Sequence, residues 1–186
     1  MQDFGTLQLT EVLFKLAIIS TGGTIEKTYD ESEGILSNGL TVLDMMLEFL
    51  QLEGLELDRI SIMNKDSREM TCADHLAIAD AVHACDTTHD GVVVVHGTDT
   101  LAETGECIEK TYPNLKNACV LTGAMRPWIM RNTDSLQNLA EAFAVVQLLD
   151  PGVYVAMHSQ VLQFPGVEKD IERMRFVRKE ANVLRS

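Results

Sequence analysis

The run Gly91–Val95, Gly-Val-Val-Val-Val, constrains this chain more than any other stretch. It shows no alternation of apolar and polar residues, so neither face of the strand it forms is meant to meet water. A strand of that kind belongs in a parallel sheet covered by helices on both sides, and such sheets bind ligands outside the carboxyl ends of their strands. At that end the chain continues as His96-Gly97-Thr98-Asp99-Thr100, which supplies hydroxyls, a carboxylate and a glycine. Phe14–Ile19 repeats the design and delivers Ser20-Thr21-Gly22-Gly23-Thr24-Ile25. Two strand exits rich in Thr and Gly predict one site built from two sides.

Further strands are expected at Leu57–Met63, Ala118–Thr122 and Val153–Met157. Helices are expected between them. Thr41-Val-Leu-Asp44 reads as a capping-box start for a helix to about Gln51, and Thr71-Cys-Ala-Asp74 caps a second with Ile78, Val82 and Cys85 at helical spacing. Thr100-Leu-Ala-Glu103 caps a third that ends before Pro113, and Asp134 opens a fourth with Leu136, Leu139, Ala140, Phe143 and Val146 on one face. The polar segment Glu26–Leu36 reads as a mobile loop over the first turn. After Val153–Met157 a long loop through Pro165-Gly166 leads to a charged terminal helix from about Val167. This alternation predicts an α/β fold: a doubly wound, mostly parallel sheet with helices on both faces, a Rossmann- or flavodoxin-like three-layer sandwich. With 186 residues and no repeat or linker, residues 1–186 read as a single domain.

A net charge of −13 argues against nucleic acid and anionic membrane surfaces as partners. Cys72, Cys85, Cys107 and Cys119 contain no C-x-x-C pair, and no secretory leader or membrane-spanning run is visible, so a cytoplasmic protein with reduced thiols is expected. His83, Cys85 and His89 lie close together but lack a fourth ligand at fitting spacing, and no metal is expected. The glycine turn has neither G-x-G-x-x-G nor Gly-Lys-Ser/Thr, which argues against a nucleotide cofactor. It offers Thr24 instead. A threonine oxygen is a weak nucleophile until a neighbour takes its proton, and Thr98 and Asp99 bring a second hydroxyl and a carboxylate.

Thr21-Gly22-Gly23-Thr24-Ile25 together with His96-Gly97-Thr98-Asp99-Thr100-Leu101 resembles the two signature segments of the bacterial-type L-asparaginase/glutaminase family. Asp66-Ser67-x-x-Met70-Thr71, Gly123-Ala124-Met125-Arg126-Pro127, Asp134 with Asn138-Leu139, and Met157-x-x-x-Val161-Leu162 follow in order, so the resemblance spans about Phe14 to Lys169. It implies that Thr24 is the first-loop nucleophile and that Tyr29 is the tyrosine closing over it. It implies that Thr98 is the second catalytic threonine and that Lys169 is the catalytic lysine. Ser67, beside Asp66, would grip the substrate α-carboxylate, and Asp99 would bind the α-amino group. The sequence leaves open which threonine attacks first.

The implied activity is cofactor-free hydrolysis of L-asparagine to aspartate and ammonia, with L-glutamine a poorer substrate, in a homo-oligomer (dimer or tetramer). Three departures stand out. Gln163–Glu168 differs from the family's usual Gly-Arg-Asp text before the lysine. Arg68 stands where relatives often carry an uncharged group, and would pair with the substrate carboxylate or crowd a longer side chain. Relatives carry a smaller C-terminal domain that lends residues to a neighbouring subunit's site; its absence from these 186 residues predicts a more open site and weak substrate affinity. The alternatives are an ammonia-generating amidotransferase subunit and a non-catalytic amino-acid-binding module.

Overall fold

The computed structural model describes residues 13–23, 25, 27–30, 35–38 and 42–179, with backbone alone for 27–30 and 35–38. Its centre is a six-stranded sheet. β1 (Phe14–Ser20), β4 (Leu55–Ser61), β5 (Gly91–Val95), β6 (Ala118–Thr122) and β7 (Gly152–Met157) run parallel, and β8 (Gln160–Gln163) closes one edge antiparallel to β7. The order is β4-β1-β5-β6-β7-β8. Numbered as they occur along the chain, the five parallel strands read 2-1-3-4-5, the flavodoxin-like doubly wound order. Its switch point falls between β1 and β5, whose exits are the two Thr- and Gly-rich turns.

Successive side chains of a strand point to opposite faces, and here both faces are dry. Ala17 and Ile19 of β1 with Val92 and Val94 of β5 join one core under α2 (Cys72–Asp86) and α3 (Leu101–Thr111). Leu16 and Ile18 with Val93 and Val95 join the other, under α1 (Val42–Glu48) and α4 (Ser135–Val146). Every residue of β5 and β6 is buried, which is why the strand at 91–95 shows no alternation. The α/β doubly wound architecture expected from the sequence is the one observed.

The local expectations fare unevenly. Thr71 and Asp74 form the expected capping box, each side chain bonding the other's backbone N–H. Thr100 and Asp134 sit at the N-cap positions of α3 and α4, but neither side chain caps its helix. β4 begins two residues before the expected strand, and α1 ends at Glu48 rather than near Gln51. The capping residue Thr41 lies outside the described residues.

Two expectations are overturned. The segment Glu26–Leu36 is not simply a loop: β2 (Lys27–Asp30) pairs antiparallel with β3 (Ile35–Asn38). Thr28-Tyr29 and Ile35-Leu36 are strand-forming residues on either side of turn-forming text, a signal that the surrounding acids obscure. There is also no charged helix from Val167. β9 (Val167–Asp170) and β10 (Arg175–Arg178) form a hairpin with Lys169 opposite Phe176 and Asp170 opposite Arg175. Glu, Lys, Arg and Met are good helix formers, but only a hairpin buries Val167 and Phe176 together against the core beside α3, and that burial outweighs propensity.

Candidate active site

The site begins with glycines. Gly22 and Gly23 take positive φ values of 94° and 91°, a backbone region that costs other residues about 1 kcal/mol or more. A Cβ on Gly23 would lie 2.5 Å from both the Cα and the N of Gly97, so the first turn rests directly on the second. A Cβ on Gly97 would in turn lie 2.5 Å from Ser67 Oγ, and one on Gly123 would overlap the carbonyl oxygen of His96. Four loops, leaving β1, β4, β5 and β6, are thus stacked backbone to backbone at the switch point.

Bonds between the loops hold the stack. Thr21 donates both its N–H and its hydroxyl to the Val95 carbonyl, at 3.1 and 2.9 Å. Thr100 turns its hydroxyl away from α3 and donates it to the Ser67 carbonyl at 2.9 Å, which explains its missing cap. Asp134 likewise accepts the N–H groups of Met125 (3.0 Å) and Arg126 (2.9 Å), the Asn138 amide (2.9 Å) and His158 Nε2 (2.6 Å). Burial works against its ionisation, but the donors from Met125, His158 and Arg126 outweigh burial and hold its carboxyl below the usual range.

His96 is fully buried beneath the second loop. Its Nδ1 lies 2.8 Å from the Gly97 carbonyl oxygen and its Nε2 2.8 Å from Thr104 Oγ1. A carbonyl only accepts, so Nδ1 carries the proton and Nε2 receives the Thr104 hydroxyl. Thr104 Oγ1 in turn accepts from His75 Nδ1 at 2.7 Å. Desolvation dominates and pushes the His96 pKa down to about 4, with His75 adding to it and the Gly97 carbonyl opposing. The ring is a neutral strut at pH 7.

Above this base sit the reactive groups. Lys169 reaches over from β9 and donates to Thr98 Oγ1 at 2.9 Å and to Asp99 Oδ1 at 2.6 Å. The lysine side chain is 12% exposed and Thr98 is buried, whereas the Asp99 side chain is 48% exposed and reachable by a ligand. Arg68 forks onto Asp66, with Nε to Oδ1 at 3.1 Å and an Nη to Oδ2 at 3.0 Å, and approaches Asp99 at 3.7 Å. Asp99, Lys169 and Arg68 line a cavity of about 840 Å³ that also meets Glu103, Glu106 and Ile171. Chemically, an amine beside a threonine oxygen and a carboxylate can move or steady a proton on that oxygen.

Of the residues singled out in the sequence, Thr98, Asp99, Lys169, Ser67, Asp66 and Arg68 come together. Thr24 lies outside the described residues. Tyr29 falls in β2, whose backbone alone is described. His83, Cys85 and His89 do not form a ligand set: His83 stacks on Tyr112 with ring centres 4.2 Å apart, and His89 bonds Asp58. Among the described residues no three His, Cys, Asp or Glu side chains are grouped for a metal ion. Sequence reasoning missed His158, Glu141 and Glu106. The acids bond backbone amides of the turn after β7 and of the approach to β9, partners distant in sequence.

A family model described as "Asparaginase, N-terminal" matches residues 15–174, nearly the whole described chain. The chain belongs to the asparaginase family. Its relatives include an L-asparaginase of Thermococcus kodakarensis, 30% identical over 155 residues, covering 83% of this chain and 47% of that one. A solved structure of the thermostable L-asparaginase from that organism superposes with a TM-score of 0.77 at 31% identity, again covering 83% and 47%. A glutamyl-tRNA(Gln) amidotransferase subunit of Thermoplasma acidophilum is 32% identical over 150 residues, covering 78% of this chain and 36% of that protein. The chain therefore spans between about a third and a half of the length of these relatives. The asparaginase N-terminal match begins in β1 and ends at Met174, so it takes in both Thr-Gly turns and Lys169.

Proposed function

We propose that this chain hydrolyses the side-chain amide of L-asparagine, releasing L-aspartate and ammonia through a threonine acyl-enzyme, with L-glutamine a poorer substrate. The observation that carries the reading is the contact of the Lys169 amine with both Thr98 Oγ1 and Asp99 Oδ1, beside the glycine on which Gly23 rests. Thr24 attacks the carboxamide carbon. Its proton passes through Thr98 and Lys169 to the departing nitrogen, which leaves as ammonia. Water then cleaves the ester, restoring the Thr24 hydroxyl and giving aspartate. Asp99 takes the substrate α-ammonium on its exposed carboxylate, Ser67 takes the α-carboxylate, and backbone N–H groups of the two glycine turns receive the developing oxyanion. Tyr29 closes over the nucleophile.

The test is a coupled ammonia assay on the purified chain with Asn and with Gln, beside Thr24→Ala and Lys169→Met. Ammonia release from Asn should fall at least about a thousandfold in both variants. Activity of Thr24→Ala equal to the parent's would remove the nucleophile. The similarity to a glutamyl-tRNA(Gln) amidotransferase favours one second reading, an ammonia source for a partner enzyme. That reading requires glutamine hydrolysis that rises when a partner protein is added.

A further inference from the structure

The position of Lys169 is not set by its own hairpin alone. The chain reaches β9 through Phe164-Pro165-Gly166, and this approach is tied to α3. Glu106 Oε1, on that helix, accepts the N–H of Gly166 at 2.7 Å and the N–H of Val167 at 3.3 Å. The buried Phe164 ring lies on Gly105, the preceding helical residue, so closely that any side chain at 105 would overlap it. From the other strand, Arg178 donates to the Pro165 carbonyl at 3.1 Å and the Lys179 N–H to the Gly166 carbonyl at 2.9 Å.

We infer that Glu106 is a positioning residue for Lys169: it fixes where β9 begins, and so where the lysine amine arrives. The inference rests on the amide-hydrolysis reading above. Residues 167 and 169 share one face of β9, because side chains alternate along a strand. Val167 is fully buried beside α3, so Lys169 faces the same way, towards the loop that opens that helix. Slipping the strand by one residue would turn the amine to the opposite face. Two consecutive amides converging on one carboxylate oxygen set that register. Thr98 and Asp99 lead through the N-cap residue Thr100 into α3, and Glu106 lies roughly one and a half turns into it. One helix therefore locates both the hydroxyl and the amine that must meet it.

The Lys179 ammonium also approaches Glu106 Oε1, but at 4.0 Å, farther than either amide, so the proposed role is that of an acceptor for the two N–H groups, which makes the idea testable. Glu106→Gln keeps an oxygen for the two amides and Glu106→Ala removes it. In the full chain, kcat for ammonia release from Asn should fall roughly 10- to 100-fold in Glu106→Ala while KM moves less than about threefold, the signature of a misplaced proton-transfer group. Glu106→Gln should stay within about threefold of the parent on both. Amide hydrogen exchange over residues 164–170 should quicken in Glu106→Ala and not in Glu106→Gln, with α3 unchanged. A Glu106→Ala kcat within about twofold of the parent overturns the inference, as does a Gln variant as impaired as the Ala variant. Should the Ala variant not fold, Glu106→Met, which keeps volume without an acceptor, makes the same comparison. A parent that releases no ammonia sinks the hydrolase reading alone; the exchange difference then decides the positioning role, and its absence overturns it.

Discussion

Acidification tests the buried strut under the catalytic loop. His96 ordinarily would titrate near 6.5, but burial first, and His75 after it, hold its folded value at about 4. Between those two values the unfolded chain binds a proton that the folded chain refuses, so stability falls as pH falls. Above about 6.5 neither state is protonated and the full stability is present; below about 4 both are, and the loss is complete. At about 1.4 kcal/mol per pH unit the interval is worth about 3.5 kcal/mol. The carboxyls held low in the fold, Asp74, Asp134 and Glu141, give up their contribution only below their ordinary values of 3.8 and 4.5. Burial raises Glu109 and makes it oppose the loss just above 4.5, so the His96 share is read from the difference between parent and variant. Urea unfolding at pH 7, 6, 5 and 4.5, for the parent and for His96→Gln, isolates the effect, because glutamine does not titrate. The parent should lose about 2–3 kcal/mol more than the variant across that range. Two curves parallel to within about 0.5 kcal/mol would refute the claim that the ring is kept neutral by burial.

Gly97→Ala should cost about 1–3 kcal/mol in urea unfolding and raise KM for asparagine, because the new methyl lies 2.5 Å from Ser67 Oγ and 2.7 Å from Ser67 Cβ, in a residue too buried to step aside. Unchanged stability and KM would mean the loops are not packed on one another. Asp134→Asn should destabilise by about 2 kcal/mol, since one oxygen that accepts backbone or histidine N–H groups becomes a donor facing donors. Thermal or urea melts read it directly, and a loss under about 0.5 kcal/mol would contradict the bonding described.

The sheet and its helices were legible because local pattern and burial agree there. Gly91–Val95 and Ala118–Thr122 are apolar throughout and lie between two cores, and Thr71 with Asp74 spells out the cap it makes. Thr98 and Asp99 can be placed at the site because they follow a strand of the sheet, whereas only the family resemblance points to Ser67 and Arg68. The lysine's carrier is a hairpin where the sequence predicts a helix. Residues 168–175 are rich in helix formers, and only long-range burial of Val167 and Phe176 decides for a hairpin. In the sequence Thr100 reads as a local cap and Asp134 as the opening of a helix, because such residues are commonest at those positions. Their actual partners, the Ser67 carbonyl and the Met125 and Arg126 amides, belong to other loops, and sequence spacing carries no information about them.

The division between legible and illegible follows from how the site itself is built. Its base is made of strand ends that cannot move independently: Gly23 leans on Gly97, Gly97 on Ser67, and Gly123 on the His96 carbonyl. At each crossing a side chain would push two loops apart, so glycine is dictated by contact as much as by φ, and glycine is visible in a sequence. The lysine, by contrast, comes from an appended hairpin whose connection to that base runs through α3 and the contacts on Glu106, Gly105 and Thr98. The main sheet also touches the hairpin's approach, where the Phe164 N–H donates to the Val153 carbonyl of β7, and shares a core with Val167 and Phe176, but it makes no bond to β9 itself among the described residues. A backbone shift that left every strand of the sheet intact could still separate the amine from the hydroxyl. Bonds such as those to Glu106 must therefore hold the functional geometry.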